Sequence, residues 1–288
     1  MKIKHVFITG FIVMFSQTAL LNAQVFFTPS VTTKVEPIDD VRLIVQYETK
    51  MITDTLNPEK KVEESLMLKI GDVSSSFYSY TRFISDSIHN DNIKKNNGVF
   101  TMNSMSIGFS GIVTYHIYKN YPEGKVTTLD KIGISLFRCE EENEVPAWEL
   151  LTDTMTILTY SCQKAVCSFK GRDYEAWFTP EIPRSEGPWK LHGLPGLILR
   201  AADSQGHYTF ECTGLINANE KLLFGADGYE SVSRKNLNTL YERYATDPEG
   251  FITSTMPNVT TFTVSNGETG ENKKSAKKNP YNPIERIN

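Results

Sequence analysis

The run Gly193-Leu194-Pro195-Gly196-Leu197-Ile198 limits the fold more than any other stretch of this chain, because it joins a forced turn to the start of a strand. Pro195 fixes φ near the value wanted at the second position of a turn. Gly196 is free to take the positive φ of the third, so residues 194–197 predict a type II turn. Residues 197–202 then read as extended and 203–206 as a tight turn. Residues 207–212, with Tyr208 and Phe210 alternating against polar neighbours, read as the second arm of a hairpin. Upstream, Gly187-Pro188-Trp189 supplies another rigid corner. Glycine corners leave backbone uncovered, so another segment or a ligand can approach closely. Two readings follow. In one, backbone N–H groups form an anion-binding nest, with Gly187, Trp189, His192, Gly193, Pro195 and Gly196 as candidate binding residues. In the other, which the turn chemistry favours, the loop is a rigid closure of a β-rich core.

The beginning of the chain has the three parts of a secretory leader. Lys2 and Lys4 precede a mostly apolar stretch from 6 to 21, and Leu21-Asn22-Ala23 is an acceptable cleavage site before Gln24. Ser16, Gln17 and Thr18 interrupt that stretch, which is short for an uncleaved anchor. No cysteine stands at the cleavage point to carry a lipid, and no later run is long and apolar enough to span a bilayer. The expectation is a signal peptide over 1–23 and an exported, soluble chain that is periplasmic, associated with an outer membrane or secreted, and not a lipoprotein. The formal net charge of −4, with no basic stripe interleaved with aromatics, argues against nucleic acid as a partner.

Cys139, Cys162, Cys167 and Cys212 are an even set, which in an exported chain points to disulfides. If residues 160–169 form one straight strand, Cys162 and Cys167 lie about 16 Å apart on opposite faces. A disulfide needs Cα atoms within about 7 Å, so each is expected to pair with Cys139 or Cys212 instead. A zinc site competes with this reading, but the Cys-x4-Cys spacing is marginal and no histidine pair sits at ligand spacing. No metal or cofactor is expected.

Period-two alternation marks residues 41–49, where Val41, Leu43, Val45 and Tyr47 share a face, and 66–70 repeats it. Gly71-Asp72 makes a turn, and the aromatic and hydroxyl run 75–85 suits a strand. Residues 87–97 are polar and read as a loop. Further strands are predicted over 99–109, 112–118, 126–138 and 155–169, then over 174–179 after a turn at 170–173. From 234 to 244, Leu237, Leu240, Tyr241 and Tyr244 recur at helical spacing. Ser233 caps the start and Asp247-Pro248 ends the helix, whose apolar stripe is expected to pack on the sheet. Phe251-Ile252 and 260–264 could supply a last strand. Residues 266–279 are rich in Gly, Glu, Asn and Lys, too polar to fold alone. Pro280 closes that linker, and 281–288 is a short apolar and proline tail, either docked back onto the body or disordered to its end. The fold class is therefore mainly β: one domain over 24–265, a single curved antiparallel sheet or open half barrel, with one helix at about 233–246.

An enzymatic reading has two versions. A hydrolase would take Ser185 as nucleophile, His192 as base and Asp203 as orienting carboxylate, yet Ser185 sits in no nucleophile elbow. Glu181 and Glu186 could form an acid pair for glycoside cleavage, with a separation that sequence does not give.

Several longer motifs resemble one family. They are Leu66-Met67-Leu68-Lys69-Ile70-Gly71, Ser76-Phe77-Tyr78-Ser79-Tyr80 and Asp86-Ser87 near the N-terminus; Tyr160-Ser161-Cys162-Gln163-Lys164-Ala165, Phe169-Lys170-Gly171-Arg172 and Ala176-Trp177-Phe178 in the middle; and Ile182-Pro183, Gly187-Pro188-Trp189-Lys190-Leu191, the hexapeptide and Asn282-Pro283-Ile284-Glu285 beyond. In these the chain resembles the GLPGLI family of exported Bacteroidota proteins over nearly all of its mature length. The family offers no established catalytic residue to carry over. Relatives encoded near TonB-dependent outer-membrane transporters make the resemblance imply a role at the cell envelope. A non-enzymatic module is expected there, binding a small lipophilic or peptide ligand or docking on an outer-membrane transporter. In that setting Thr55, Ser87 and Thr154, each in an Asp-Ser/Thr-aliphatic triplet, are candidate O-glycosylation sites, although so short a pattern also arises by chance.

Overall fold

The computed structural model describes residues 35–81, 84, 113–255 and 281–286. Among these, the strands are β1 (Glu36–Met51), β2 (Val62–Ile70), β3 (Ser75–Ser79), β4 (His116–Lys119), β5 (Lys125–Ile132), β6 (Ser135–Glu142), β7 (Glu149–Ile157), β8 (Tyr160–Phe169), β9 (Arg172–Thr179), β10 (Leu197–Asp203), β11 (Tyr208–Phe224) and β12 (Glu230–Ser231). Helices α1 (Arg234–Thr246) and α2 (Pro248–Thr255) follow. The strands form one open sheet in the order β12-β6-β5-β4-β3-β2-β1-β11-β10-β9-β8-β7. Neighbours are antiparallel except for the short parallel pair β12 and β6. The protein is mainly β, as its alternation predicts, with a larger sheet than expected and, among the described residues, the additional helix α2 after the expected α1.

The long central strands explain the main core. On β1, Val41, Leu43, Val45 and Tyr47 are all buried while their neighbours are not, the pattern of a strand with one covered face. Each such aliphatic side chain contributes about 1.5–3 kcal/mol. Phe77 of β3 meets Tyr47 and Phe210 edge to face, with ring centroids 6.3 and 6.1 Å apart, so three strands that are not all neighbours share one aromatic contact. The Tyr47 hydroxyl donates to the Ile198 carbonyl at 2.6 Å and ties the middle of the sheet to the end of the hexapeptide. A second core lies at the other side, where Ile132, Phe137 and Cys139 pack against Leu237 of α1 and Phe251 of α2.

Four expectations need correction. The strand expected over 75–85 ends at Ser79, and Tyr80, Thr81 and Ile84 are helical. Residues 126–138 are not one strand but the hairpin of β5 and β6, turned at Gly133 with φ +61. The isoleucines on either side of that glycine keep the apolar alternation going and conceal the turn. Residues 155–169 are likewise split, because Leu158 takes φ +54 and joins β7 to β8. Phe251 and Ile252 lie in α2 rather than in a strand. Asp247-Pro248, which reads as a helix stop, also starts this next helix: the Asp247 carboxylate accepts from Gly250 N at 2.9 Å, and Pro248 sits at the first helical position, where its missing N–H costs nothing. The expected strands over 99–109 and 260–264, and the loop over 87–97, lie outside the described residues.

α1 itself is as predicted. The Ser233 side chain accepts from Asn236 N at 3.2 Å, and Leu237 faces the sheet fully buried. No described helix is long and apolar enough to cross a membrane.

Candidate functional site

Lys170 and Gly171 both have positive φ, 49° and 78°, which makes the two-residue turn of a twisted hairpin. That turn delivers Arg172 to the start of β9 with its side chain 1 % exposed. At the neighbouring turn, the Asp203 carboxylate accepts from Tyr208 N at 2.9 Å and faces Arg172 Nη1 at 2.5 Å. Two local hairpin turns therefore assemble a buried, hydrogen-bonded ion pair.

The rest of the Arg172 guanidinium holds the C-terminal segment. Nε donates to the Ile284 carbonyl at 2.9 Å, and Nη2 donates to Asn282 Oδ1 at 2.9 Å and to the Pro283 carbonyl at 2.5 Å. The Tyr208 hydroxyl donates to the Asn282 carbonyl at 2.5 Å, and Asn282 Nδ2 donates to the Ile52 carbonyl at 2.6 Å. Arg286 N donates to the Lys170 carbonyl at 2.9 Å. The approach is close enough that a Cβ on Gly171 would stand 2.5 Å from the Arg286 carbonyl oxygen. Of the two outcomes open for the tail, residues 281–286 take the docked one.

Glu285 completes a four-charge cluster. Lys190 Nζ lies 2.6 Å from Glu285 Oε2 and 2.9 Å from Glu141 Oε2. Arg234, the first residue of α1, lies 2.6 Å from Glu141 Oε2 and 3.6 Å from Glu285 Oε1. Two cations and two carboxylates face one another, as buried charges must, and Lys170 reaches Glu141 from the rim at 3.6 Å while pairing with Glu144 at 2.7 Å. Burial, with Arg234 close by, holds the Lys190 ammonium below the usual lysine range. Burial works against ionisation of Glu141 too, but Lys190 and Arg234 outweigh it and its carboxyl sits below the usual range.

Beside this cluster lies a cavity of ≈ 190 Å³, walled by Tyr115, Trp189, Tyr208, Tyr241, Ile284 and the charged residues Asp130, Lys190, Arg234 and Glu285. Trp189 is 1 % exposed and sits at φ +53. The Tyr241 hydroxyl donates to Asp130, and burial, reinforced by Asp130, raises its pKa well above the ordinary tyrosine value. Burial raises Tyr115 likewise, with Tyr208 and Asp130 adding to it. The tyrosine rings are thus neutral apolar walls with fixed donors at their rims.

The hexapeptide corner is built differently. Gly196 N donates to the Leu194 carbonyl at 2.8 Å, a three-residue γ-turn around Pro195 and not the expected type II turn. Gly196 is needed because a Cβ there would stand 2.1 Å from the Thr179 carbonyl oxygen. The anion nest does not form: the N–H groups of Leu191, Gly193, Gly196, Leu197 and Ile198 all donate to protein carbonyls. Gly187 meets Ile198, and its carbonyl accepts from Lys119 Nζ at 2.8 Å. Of the candidate binding residues here, Trp189 alone lines the cavity.

His192 is 8 % exposed with Nε2 unpartnered, and burial together with nearby Lys119 lowers it to about 4. It forms no triad. Ser185 Oγ donates to the Leu194 carbonyl at 2.7 Å, and Asp203 serves Arg172 and Tyr208. Glu181 accepts from Ser161 N while Glu186 pairs with Lys119, so the proposed acid pair is also divided between separate partners.

The cysteine expectation fails as well, for all four are buried free thiols. Cys139 belongs to the core under α1, whereas Cys162, Cys167 and Cys212 belong to the main core. Cys162 and Cys167 share β8, three strands away from Cys212 on β11. Burial raises Cys167 to about 12 and Cys212 to about 11, which keeps both protonated. Among the described residues no cluster of His, Cys, Asp or Glu is placed to hold a metal ion. Thr55 and Thr154 are exposed, and Ser87 lies outside the described residues.

Arg172, Lys190, Asn282 and Glu285 were each inside a recognised motif, but sequence reading assigned them no role. The signal that could have found them is chemical complementarity between Lys170-Gly171-Arg172 and Asn282-Pro283-Ile284-Glu285, two charged motifs with no local use for their charges.

Comparison with known proteins agrees in part with the resemblance. A family model described as a protein of unknown function (Porph_ging) matches residues 168–200, the stretch that runs from the Arg172 hairpin through the hexapeptide. No curated protein matches the chain. Two crystal structures of PNGF-II, in the P21 and C2 space groups, are similar to 69 % of this chain, with TM-scores of 0.47 and 0.45 and identities of 12 % and 14 %. The matched part spans 32 % of the PNGF-II chain in both.

Proposed function

We propose that this protein is a non-enzymatic binding module of the cell envelope. It takes a lipophilic ligand about the size of one aromatic ring between α1, the β4 and β5 strands and the docked tail. The observation that carries this reading is the ≈ 190 Å³ cavity with its tyrosine and tryptophan walls. An apolar cavity of about 150 Å³ is already enough to accept benzene, and a largely apolar pocket with a few placed polar groups is the usual form of a small-molecule site. The Phe77 contact from β3 across to β11 supports a sheet that curls toward this face, the open half barrel expected from sequence. The leader over 1–23 supports export, and a place beside an outer-membrane TonB-dependent transporter follows from the family resemblance.

Calorimetric titration of the full chain with p-cresol, indole and hexanol tests the binding. Saturable heat is expected with at least one of them and is lost in Asn238→Trp, which fills the cavity from α1. No heat with any probe, or turnover of an ester substrate that His192→Ala abolishes, sinks the reading. Crosslinking in intact envelopes tests the transporter: recovery of an outer-membrane transporter is expected, and its absence removes that part of the proposal.

A further inference from the structure

We propose that the groove holding residues 281–286 is a recognition site for a peptide of the form Asn-Pro-aliphatic-Glu carried by a partner protein, with the chain's own tail as resident competitor. This goes beyond the cavity ligand and does not depend on it.

The contacts of the tail are those of a bound peptide. Three successive carbonyls, of Asn282, Pro283 and Ile284, are all taken by Tyr208 and Arg172. These contacts read main chain and would serve any segment with the same bend at Ile284-Glu285. Specificity lies in the side chains. Asn282 is read at both ends of its amide, by Arg172 and by the Ile52 carbonyl, and Glu285 is read by Lys190 and Arg234. Proline fits between them because it brings no N–H that would need a partner in the groove.

The tail lies outside the sheet, with Asn282 and Glu285 buried in its groove. None of residues 281–286 pairs in the sheet, and Ile284 touches the main core only from its margin. Its departure breaks no strand ladder.

Charge then selects the replacement. Without Glu285, Lys190 and Arg234 are left sharing the Glu141 carboxylate, which Lys170 also approaches at 3.6 Å, with Asp130 on the same cavity wall. Two largely buried cations then share one contact carboxylate, a costly state. A peptide with an uncharged residue at the Glu285 position does not relieve it, whereas a glutamate there restores the contact. Because the resident tail is covalently attached, it competes at a high effective concentration, and the free site is exposed only when the tail is weakened.

Fluorescence anisotropy of a labelled Tyr-Asn-Pro-Ile-Glu-Arg peptide on the full-length chain provides the test. The tail variant Asn282→Ala with Glu285→Gln is expected to bind it at least tenfold more tightly than the unaltered chain. A peptide carrying the E285Q change is expected to bind that variant at least tenfold more weakly. Equal binding of a scrambled peptide, or no binding to the variant, overturns the proposal. Circular dichroism checks that the variant is folded. If it is not, the unaltered chain is photo-crosslinked with the peptide at high concentration: adducts at the turn from Asp203 to Tyr208 support the site, and their absence overturns it. A concentration-dependent dimer that the free peptide dissolves would make a second copy the occupant and overturn the assignment to a partner protein.

Discussion

The hexapeptide corner and the tail groove adjoin through Trp189 and Lys190, yet they are held by opposite physics. The corner is held by shape: Leu191, Leu194 and Leu197 are almost wholly buried, and at Gly187 and Gly196 the neighbours leave no room for a methyl group. Its one ionisable imidazole, His192, is kept neutral by burial and by Lys119. The groove is held by charge. Its three cations come from β9, from the loop before β10 and from the start of α1, and part of the matching negative charge comes from a segment beyond Thr255. Shape complementarity makes a joint that is either intact or broken, whereas paired charges allow one partner to be exchanged for another of equal charge. The corner is architecture, and the groove is where recognition can occur.

The contrast is broken most severely at Arg172. Arg172→Ala removes the counterion of buried Asp203 and three of the tail's hydrogen bonds, and is expected to cost about 3–5 kcal/mol in urea denaturation. Arg172→Lys should keep more of the stability but still release the tail, since an ammonium lacks the planar fork. A loss under about 1 kcal/mol on Arg172→Ala would show that the ion pair is solvated and the contrast false.

Acid should attack the corner next. The His192 imidazole titrates at about 4 in the fold against an ordinary value of 6.5, so the unfolded chain binds its proton first. Stability is therefore unaffected by this group above pH 6.5, falls as pH drops from 6.5 to about 4, and is lower by about 3 kcal/mol below that. Comparing His192→Gln with the unaltered chain across this window isolates the effect from the carboxylates. Parallel curves for the two proteins would disprove it.

Gly196→Ala tests shape alone. Its Cβ meets backbone, not a side chain that can swing away, and the expected loss is about 1–3 kcal/mol, with the tail still protected from hydrogen exchange. Ser233→Ala should have the smallest effect, about 1 kcal/mol. It frays the end of α1 that carries Arg234, so faster exchange is expected at Arg286 N, while Leu197 N stays protected. Equal acceleration at both amides would mean that corner and groove open as one unit.

Much of the fold was legible in the residues. β1, β2, β9 and the start of β11 show period two plainly, β10 reads as an apolar extended run, and α1 shows both its spacing and its cap. Turns flanked by apolar residues were missed at Gly133 and Leu158, since alternation continues through them and only φ betrays the reversal. Pro195 and Gly196 announced a turn without revealing its type. The type follows from a partner elsewhere in the chain: Leu197 N donates to the Ile182 carbonyl at 3.0 Å instead of turning back to Leu194.

By itself the sequence determined the β-rich class, most strand centres, α1 and the presence of a turn at Lys170-Gly171, because those depend on residues two to four positions apart, though not that Arg172 already stands on the strand after that turn. Only the tertiary structure decided that Arg172 would meet Ile284, 112 positions further along the chain, that the cysteines would stay apart, and that the four charges would close around Glu285. Such pairings are fixed by where the sheet carries each strand end, and the energy that selects them exists only once burial has removed the water that would otherwise satisfy every charge.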